Sequence, residues 1–208
     1  MAFGDLEFGF FGEVGLGDLF IFLISQTEKT SMSKGPPSQS VQLSDRCEGK
    51  KKDGRQCRLY TTTDGLCWMH GQMEEKVRVK PSQITGAGKG LFASEWDHTS
   101  RGKTKPKYKD SVVFKTGEKI TAYEGDVLDA DEFMKRYPQG DAQYSYSVDP
   151  DHIIDSRRTT SCFGRYANNS LGSRTGHANA RITHHRDSKE AYLVATEPIK
   201  QDRELLVN

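Results

Sequence analysis

The chain has 208 residues, of which 34% are hydrophobic and 28% charged, with 20 Gly. That suits one ordinary domain, or a small module ahead of a domain of about 130 residues, with a modest core and many turns. The formal net charge is +1, which excludes binding to nucleic acid or membrane through overall charge and leaves only local patches.

An apolar run, Leu19 to Ile24, follows Phe8, Phe10, Phe11 and Val14, but Asp5, Glu7, Glu13 and Asp18 interrupt the stretch and no Lys or Arg precedes Lys29. A secretory leader would need a basic start, and the run is too short to span a bilayer, so no membrane association is expected. Residues 1–46 read as a disordered leader and linker, or as sequence ahead of a true start at Met32; from 29 onward they are rich in Ser, Thr, Gln, Lys and Pro, with the turn Gly35-Pro36-Pro37. A cysteine and histidine block occupies 47–71. Val77 and Val79 then alternate with polar residues as a strand does, and lead into the glycine-rich turn Gly86-Ala-Gly88-Lys-Gly90.

A basic stretch, Arg101 to Lys109, has no apolar period and reads as a solvated loop inserted near 97–111. Short strands are expected at Val112–Phe114, Lys119–Tyr123, Tyr144–Val148, His152–Asp155, Tyr192–Ala195 and Glu204–Val207. Asp129–Tyr137 is the only helix expected, stopped by Pro138. The alternation of strand and long helix that a parallel doubly wound sheet requires is absent, so the fold class is mainly β, of the α+β kind.

Cys47, Cys57, Cys67 and His70 are separated by nine, nine and two residues. Three thiolates and one imidazole make the donor set of a closed tetrahedral zinc site, and the Cys67-Trp-Met-His70 step lets one turn of backbone offer two ligands. The block also resembles a small family of Cys-x9-Cys-x9-Cys-x2-His modules. Such a site leaves no position open, which argues for structure or partner docking; the alternative is a loop of reduced cysteines. Lys50, Lys51, Lys52, Arg55 and Arg58 beside it could meet phosphates or an acidic protein, or simply form a soluble rim.

The glycine turn lacks the order of a phosphate loop and by itself is a tight bend. In context, Val79 to Ala93 resembles the opening strand pair of SET-domain lysine methyltransferases. Tyr123-Glu-Gly125 is similar to the family's Tyr-x-Gly signature, and Tyr144-Ser-Tyr146-Ser-Val148 with Ile154-Asp155 to the strands that follow. Gly164-Arg165-Tyr166-Ala167-Asn168-Asn169-Ser170 stands for the cofactor motif, Ala178-Asn179-Ala180-Arg181 for the pattern after it and Ile199–Val207 for the final strand. The resemblance covers 77–208, about three-fifths of the chain.

The resemblance implies several short antiparallel sheets with a C-terminal segment threaded under a preceding loop. It implies S-adenosylmethionine as cofactor, bordered by Gly88, Lys89, Gly90, Tyr144, Arg165, Asn168 and Asn169, and a lysine channel lined by Tyr123 and Tyr146 as catalytic residues. It implies a protein substrate of the histone-tail kind, contact with chromatin and a place in the nucleus rather than the cytoplasm. Asn169 stands where the family has His, and the family's pattern runs on from Glu204-Leu-Leu-Val-Asn208 into a tyrosine where this sequence stops. The domain is therefore expected to be incomplete and to bind cofactor weakly. A catalytically silent scaffold, whose zinc module binds protein or nucleic acid, is the alternative.

Overall fold

The computed structural model describes residues 46–51, 53–61, 65–95, 110–159 and 161–208. Residues 1–45 of the expected leader and linker, Lys52 and the basic Arg101 to Lys109 stretch lie outside them. Among the described residues no helix is long and apolar enough to cross a membrane.

The elements run α1 (Trp68–Glu74), β1 (Val77–Pro81), β2 (Lys89–Ala93), β3 (Val112–Phe114), β4 (Lys119–Tyr123), β5 (Asp126–Leu128), α2 (Ala130–Arg136), β6 (Ser145–Asp149) and β7 (His152–Asp155). A 3₁₀ turn (Gly164–Tyr166), β8 (Asn168–Asn169), a second 3₁₀ turn (Ser170–Gly172), β9 (Ala180–His184), β10 (Ala191–Ala195), β11 (Ile199–Lys200) and β12 (Leu206–Val207) complete the order. The strands form five small sheets: β1-β2, β4-β10-β9, β11-β3, β12-β8 and β5-β7-β6.

Local chemistry explains most of these. Gly86 and Gly88 take φ of 83° and 72° between β1 and β2, a backbone that L side chains resist, and so close the antiparallel pair. Helix α2 starts where the Asp129 carboxylate accepts the Glu132 N–H at 2.8 Å and ends at Tyr137, ahead of Pro138. Its foot is tied by Asp155, whose carboxylate accepts from Arg136 at 2.7 Å and from the Tyr137 hydroxyl at 2.8 Å. The main core gathers Val77, Leu91, Phe114, Phe163, Leu193 and Leu205 around β4 and β10.

Three expectations change. Asp129–Tyr137 is not alone as a helix: α1 also forms, although it is seven residues long with no side-chain cap and Gly71 in its middle, because it packs on the domain, with Cys67 at its N-cap and His70 within it. The expected strand at Glu204–Val207 is shorter, with Glu204 making a single bridge to Phe92 and Leu206–Val207 pairing in parallel with Asn168–Asn169. One sheet is thus parallel in an otherwise antiparallel set. Third, Tyr144 lies just outside β6, which is shifted by one residue to Ser145–Asp149.

The C-terminal segment is inserted between β2 and the 168–179 stretch. Leu205 N–H donates to the Leu91 carbonyl at 2.7 Å on one side, and on the other the Asn179 amide donates to the Glu204 carbonyl at 2.8 Å and accepts from the Leu206 N–H at 2.9 Å.

Candidate functional site

A cleft of about 950 Å³ opens where β4, β6, β9 and the C-terminal residues meet. This is at the upper end of ordinary small-molecule sites. Of the residues singled out from sequence, Tyr123, Tyr146, Arg165 and Asn169 line it, joined by Arg181 and Val207 among others. Tyr123 and Tyr146 come from neighbouring sheets and meet edge to face, ring centres 6.2 Å apart. Tyr123 is only 6% exposed. Burial first, and the nearby Cys162 thiol second, push its phenol well above the ordinary value; burial also raises Tyr146. Both therefore stay protonated at neutral pH and act as neutral hydroxyls.

Tyr146 also has a partner that the sequence did not single out. Its hydroxyl lies 3.2 Å from Nδ1 of His184, on β9. The signal was faint, since only Ala178–Arg181 of that stretch carried a recognisable pattern.

Arg165 lays its guanidinium 4.4 Å over the Tyr144 ring while donating to the carbonyls of Ser156 at 3.0 Å and Arg157 at 3.3 Å. Tyr144 thus reaches the cleft's edge through Arg165. Gly88, Lys89, Gly90 and Asn168 form a second group outside the lining. Asn168 donates to the Lys89 carbonyl and to the Glu204 carboxylate, both at 3.1 Å, and the Lys89 ammonium sits 5.9 Å over the Tyr166 ring. The split follows from the strand: successive side chains of β8 point to opposite faces, so Asn169 faces the cleft and Asn168 the glycine turn. The Asn169 side-chain oxygen Oδ1 caps the following 3₁₀ turn by accepting the Leu171 N–H at 2.8 Å.

Gly88 has open space where a Cβ would stand, whereas a Cβ on Gly90 would run into the Glu204 carboxylate. That carboxylate is fixed by Ser82 Oγ at 2.6 Å and the Gln83 N–H at 2.8 Å. Gly90 is thus required by an internal contact with the C-terminal segment.

The second constellation lies in the 47–71 block. The ligand atoms of Cys47, Cys57, Cys67 and His70 all fall within 4.8 Å of one another. His70 Nε2 faces the Lys50 carbonyl at 3.2 Å, which leaves Nδ1 as the free lone pair, 3.2 Å from the Cys47 sulfur and 3.3 Å from that of Cys67. Burial alone would raise the Cys47 thiol, but N–H groups of Cys67 at 3.1 Å and Gly49 at 3.4 Å carry it below the ordinary value; Cys67 is pushed up by burial. Three buried thiols around one imidazole hold their thiolate forms together only with a cation between them, and the three-sulfur, one-nitrogen set fits zinc. Gly49 keeps the space clear, since a Cβ there would lie 2.5 Å from the His70 ring. Trp68, between the last two ligands, packs on Phe163 at 4.8 Å and Tyr166 at 5.9 Å, so this block leans on the turn that leads to Asn168 and Asn169.

Residues 111–208 match the family model for the SET domain. No curated protein matches the chain.

Proposed function

We propose, from the match of residues 111–208 to the SET domain, that the chain transfers a methyl group from S-adenosylmethionine to the side-chain amine of a protein lysine, a histone tail in the nucleus being the first candidate substrate. The observation that carries this reading is the meeting of Tyr123 and Tyr146 in one cleft inside the matched region.

Bound S-adenosylmethionine would supply an electrophilic methyl on a sulfonium. The nucleophile must then be the neutral amine, yet with a reference pKa near 10.4 only about one lysine in ~2500 is neutral at pH 7. Neither tyrosine can take the ammonium's proton, because their raised phenols are held in the protonated form, so that proton passes to solvent before the amine is enclosed. They act by position: aromatic walls exclude water and disfavour the ammonium, and the Tyr123 and Tyr146 hydroxyls aim the amine. His184 keeps the Tyr146 hydroxyl in one orientation. Arg165 and Arg181 give the cleft positive charge suited to the carboxylate of the cofactor's amino acid part. The zinc block would hold the domain against its substrate or chromatin.

The test is transfer of labelled methyl to core histones, by this chain and by a form with tyrosine placed after Asn208. Incorporation that Tyr123→Phe slows by about tenfold or more supports the proposal; no incorporation by either form, with the fold intact, refutes it.

One observation favours a second reading, a catalytically silent scaffold whose zinc module binds a partner. Asn168 donates its amide NH₂ to Lys89 and Glu204, and Asn169 engages its amide oxygen with the Leu171 N–H. Absence of cofactor binding by calorimetry together with capture of a peptide or nucleic acid by the zinc block would favour it.

A further inference from the structure

The zinc block and the cleft are joined through a single short helix. Helix α1 begins directly after Cys67 and contains His70, so two of the four metal-binding residues sit on it or at its start. At seven residues with no side-chain cap, it lies well below the ~12–15 residues at which an isolated helix becomes even marginal in water. Its helical state therefore depends on what ties it at each side.

On one side the tie is the metal cluster. On the other, Trp68 lies with its ring centre 4.8 Å from Phe163 and 5.9 Å from Tyr166, tilted on the first and edge-on to the second. Gly71 allows this closeness, because a Cβ there would stand 3.1 Å from the Phe163 ring. Gln72, 2% exposed, accepts the Val79 N–H at 2.7 Å and donates to the Trp68 carbonyl at 3.2 Å, which links the helix to β1.

Phe163 and Tyr166 bracket the 3₁₀ turn, closed by Tyr166 N–H to the Phe163 carbonyl at 3.0 Å and Ala167 N–H to the Gly164 carbonyl at 3.1 Å. The turn cannot shift towards β4, since Gly164 already approaches the Ala122 carbonyl where a Cβ would stand 2.6 Å away. Its next residues, Ala167 and Asn169, line the cleft.

We infer that metal loading of the Cys47, Cys57, Cys67 and His70 cluster, acting through Trp68, fixes the Gly164–Asn169 segment, so that Trp68 is a positioning residue for the cleft and metal occupancy governs cofactor affinity. The second half rests on the methyltransferase reading; the first does not. By linkage, a cofactor held by the fixed segment tightens metal retention by the same factor that metal tightens the cofactor.

The test uses the full chain, zinc-loaded or stripped by chelator, with Trp68→Ala and Trp68→Phe. Amide hydrogen exchange at Tyr166 and Ala167 is read by NMR against Leu193 in the core, and S-adenosylmethionine affinity by calorimetry. Chelation and zinc-loaded Trp68→Ala are each expected to speed exchange at Tyr166 and Ala167 by about tenfold or more, and to weaken the cofactor by a similar factor, within the ~5–150-fold range usual for coupled sites. Leu193 should stay protected, and Trp68→Phe should recover most of the effect. Unchanged exchange at Tyr166 and Ala167 after zinc removal overturns the inference, as does equal loss of protection at Leu193, which would mean general unfolding. If exchange responds as expected while neither the zinc-loaded chain nor its form with tyrosine placed after Asn208 binds cofactor, the positional half stands and the methyltransferase reading fails.

Discussion

Replacing Asp155 by Asn would change charge at almost constant shape in a buried carboxylate that accepts three hydrogen bonds. Asp155 is 1% exposed; one oxygen accepts from Arg136 at 2.7 Å and the Tyr137 hydroxyl at 2.8 Å, and the other from the Arg157 N–H at 2.9 Å. An Asn side chain has one acceptor oxygen, so whichever way it faces its NH₂ meets a donor and at least one charge-assisted bond is lost. Arg136 keeps Asp126 at 2.7 Å and is partly exposed to water, which limits the loss to about 2 kcal/mol, with Asp155→Ala nearer 3 kcal/mol. Urea denaturation, followed by tryptophan fluorescence with the slope held in common, reads this as a lower midpoint. The pH dependence gives a sharper check. Burial alone would raise the Asp155 carboxyl, but Arg136, the Arg157 N–H and the Tyr137 hydroxyl outweigh it and hold it below the usual range. A depressed folded value means stability that is fully present above the unfolded value near ~3.9 and lost as pH falls through the folded one. The gap between wild type and Asp155→Asn should therefore be flat from about pH 7 to 5 and shrink below about pH 4. Other carboxylates titrate in both proteins and cancel in the difference. An Asn variant as stable as wild type, or a gap unchanged down to about pH 3, would refute the account.

Gly90→Ala should destabilise by about 2–3 kcal/mol, because the new Cβ meets a Glu204 carboxylate pinned by Ser82 and Gln83. Gly88→Ala, with open space but φ of 72°, should cost only about 1–2 kcal/mol, so the order of the two urea midpoints separates a clash from a backbone penalty. Cys47→Ser should lower bound zinc, measured by plasma mass spectrometry, from about one per chain to well below it, while Cys162→Ser, outside the cluster, should not. In whichever form transfers methyl, Tyr123→Phe should lower kcat by about tenfold or more with cofactor affinity within about twofold of wild type, a loss of roughly 1.4 kcal/mol in the transition state.

What could be read from the chain follows the range over which each signal acts. Lys119–Tyr123 and Ala191–Ala195 have β-branched and aromatic residues over five positions each, and the pairing of Tyr123 with Ala191 joins them. Asp129 and Pro138 punctuate α2 from both ends. The cysteine and histidine cluster was legible because nine-residue spacings and a Cys-x2-His step are local facts, and the fold brings its four side-chain donor atoms within 4.8 Å of one another. Helix α1 was hidden by Gly71 and by its dependence on contacts made outside it. Strands β8, β11 and β12 have two residues each, too few to show any period, so their pairing is decided wholly by tertiary neighbours. The reason for Gly90 was equally out of reach, since the carboxylate that forbids a Cβ there belongs to Glu204, near the far end of the sequence.

Glu204 also ties the two groups of candidate residues, apart in space, to one segment of the chain. Its side chain holds Ser82, Gln83 and Asn168, while the next residues, Leu205 to Val207, pass from the core to the floor of the cleft. The glycine turn, the Asn168–Asn169 strand and the cleft floor can therefore take their positions only when the C-terminal segment is seated, because each uses it as a partner. These contacts join residues far apart in sequence, whose loop-closure entropy must be met before any bond rewards it, so seating is expected late in folding. Once it is made, the backbone bonds of Leu205 and Leu206 and the buried Asn179 clamp resist local opening. Any opening of the cleft is then left to its other wall, where Gln139 to Gln143 are mostly exposed and belong to no helix or strand.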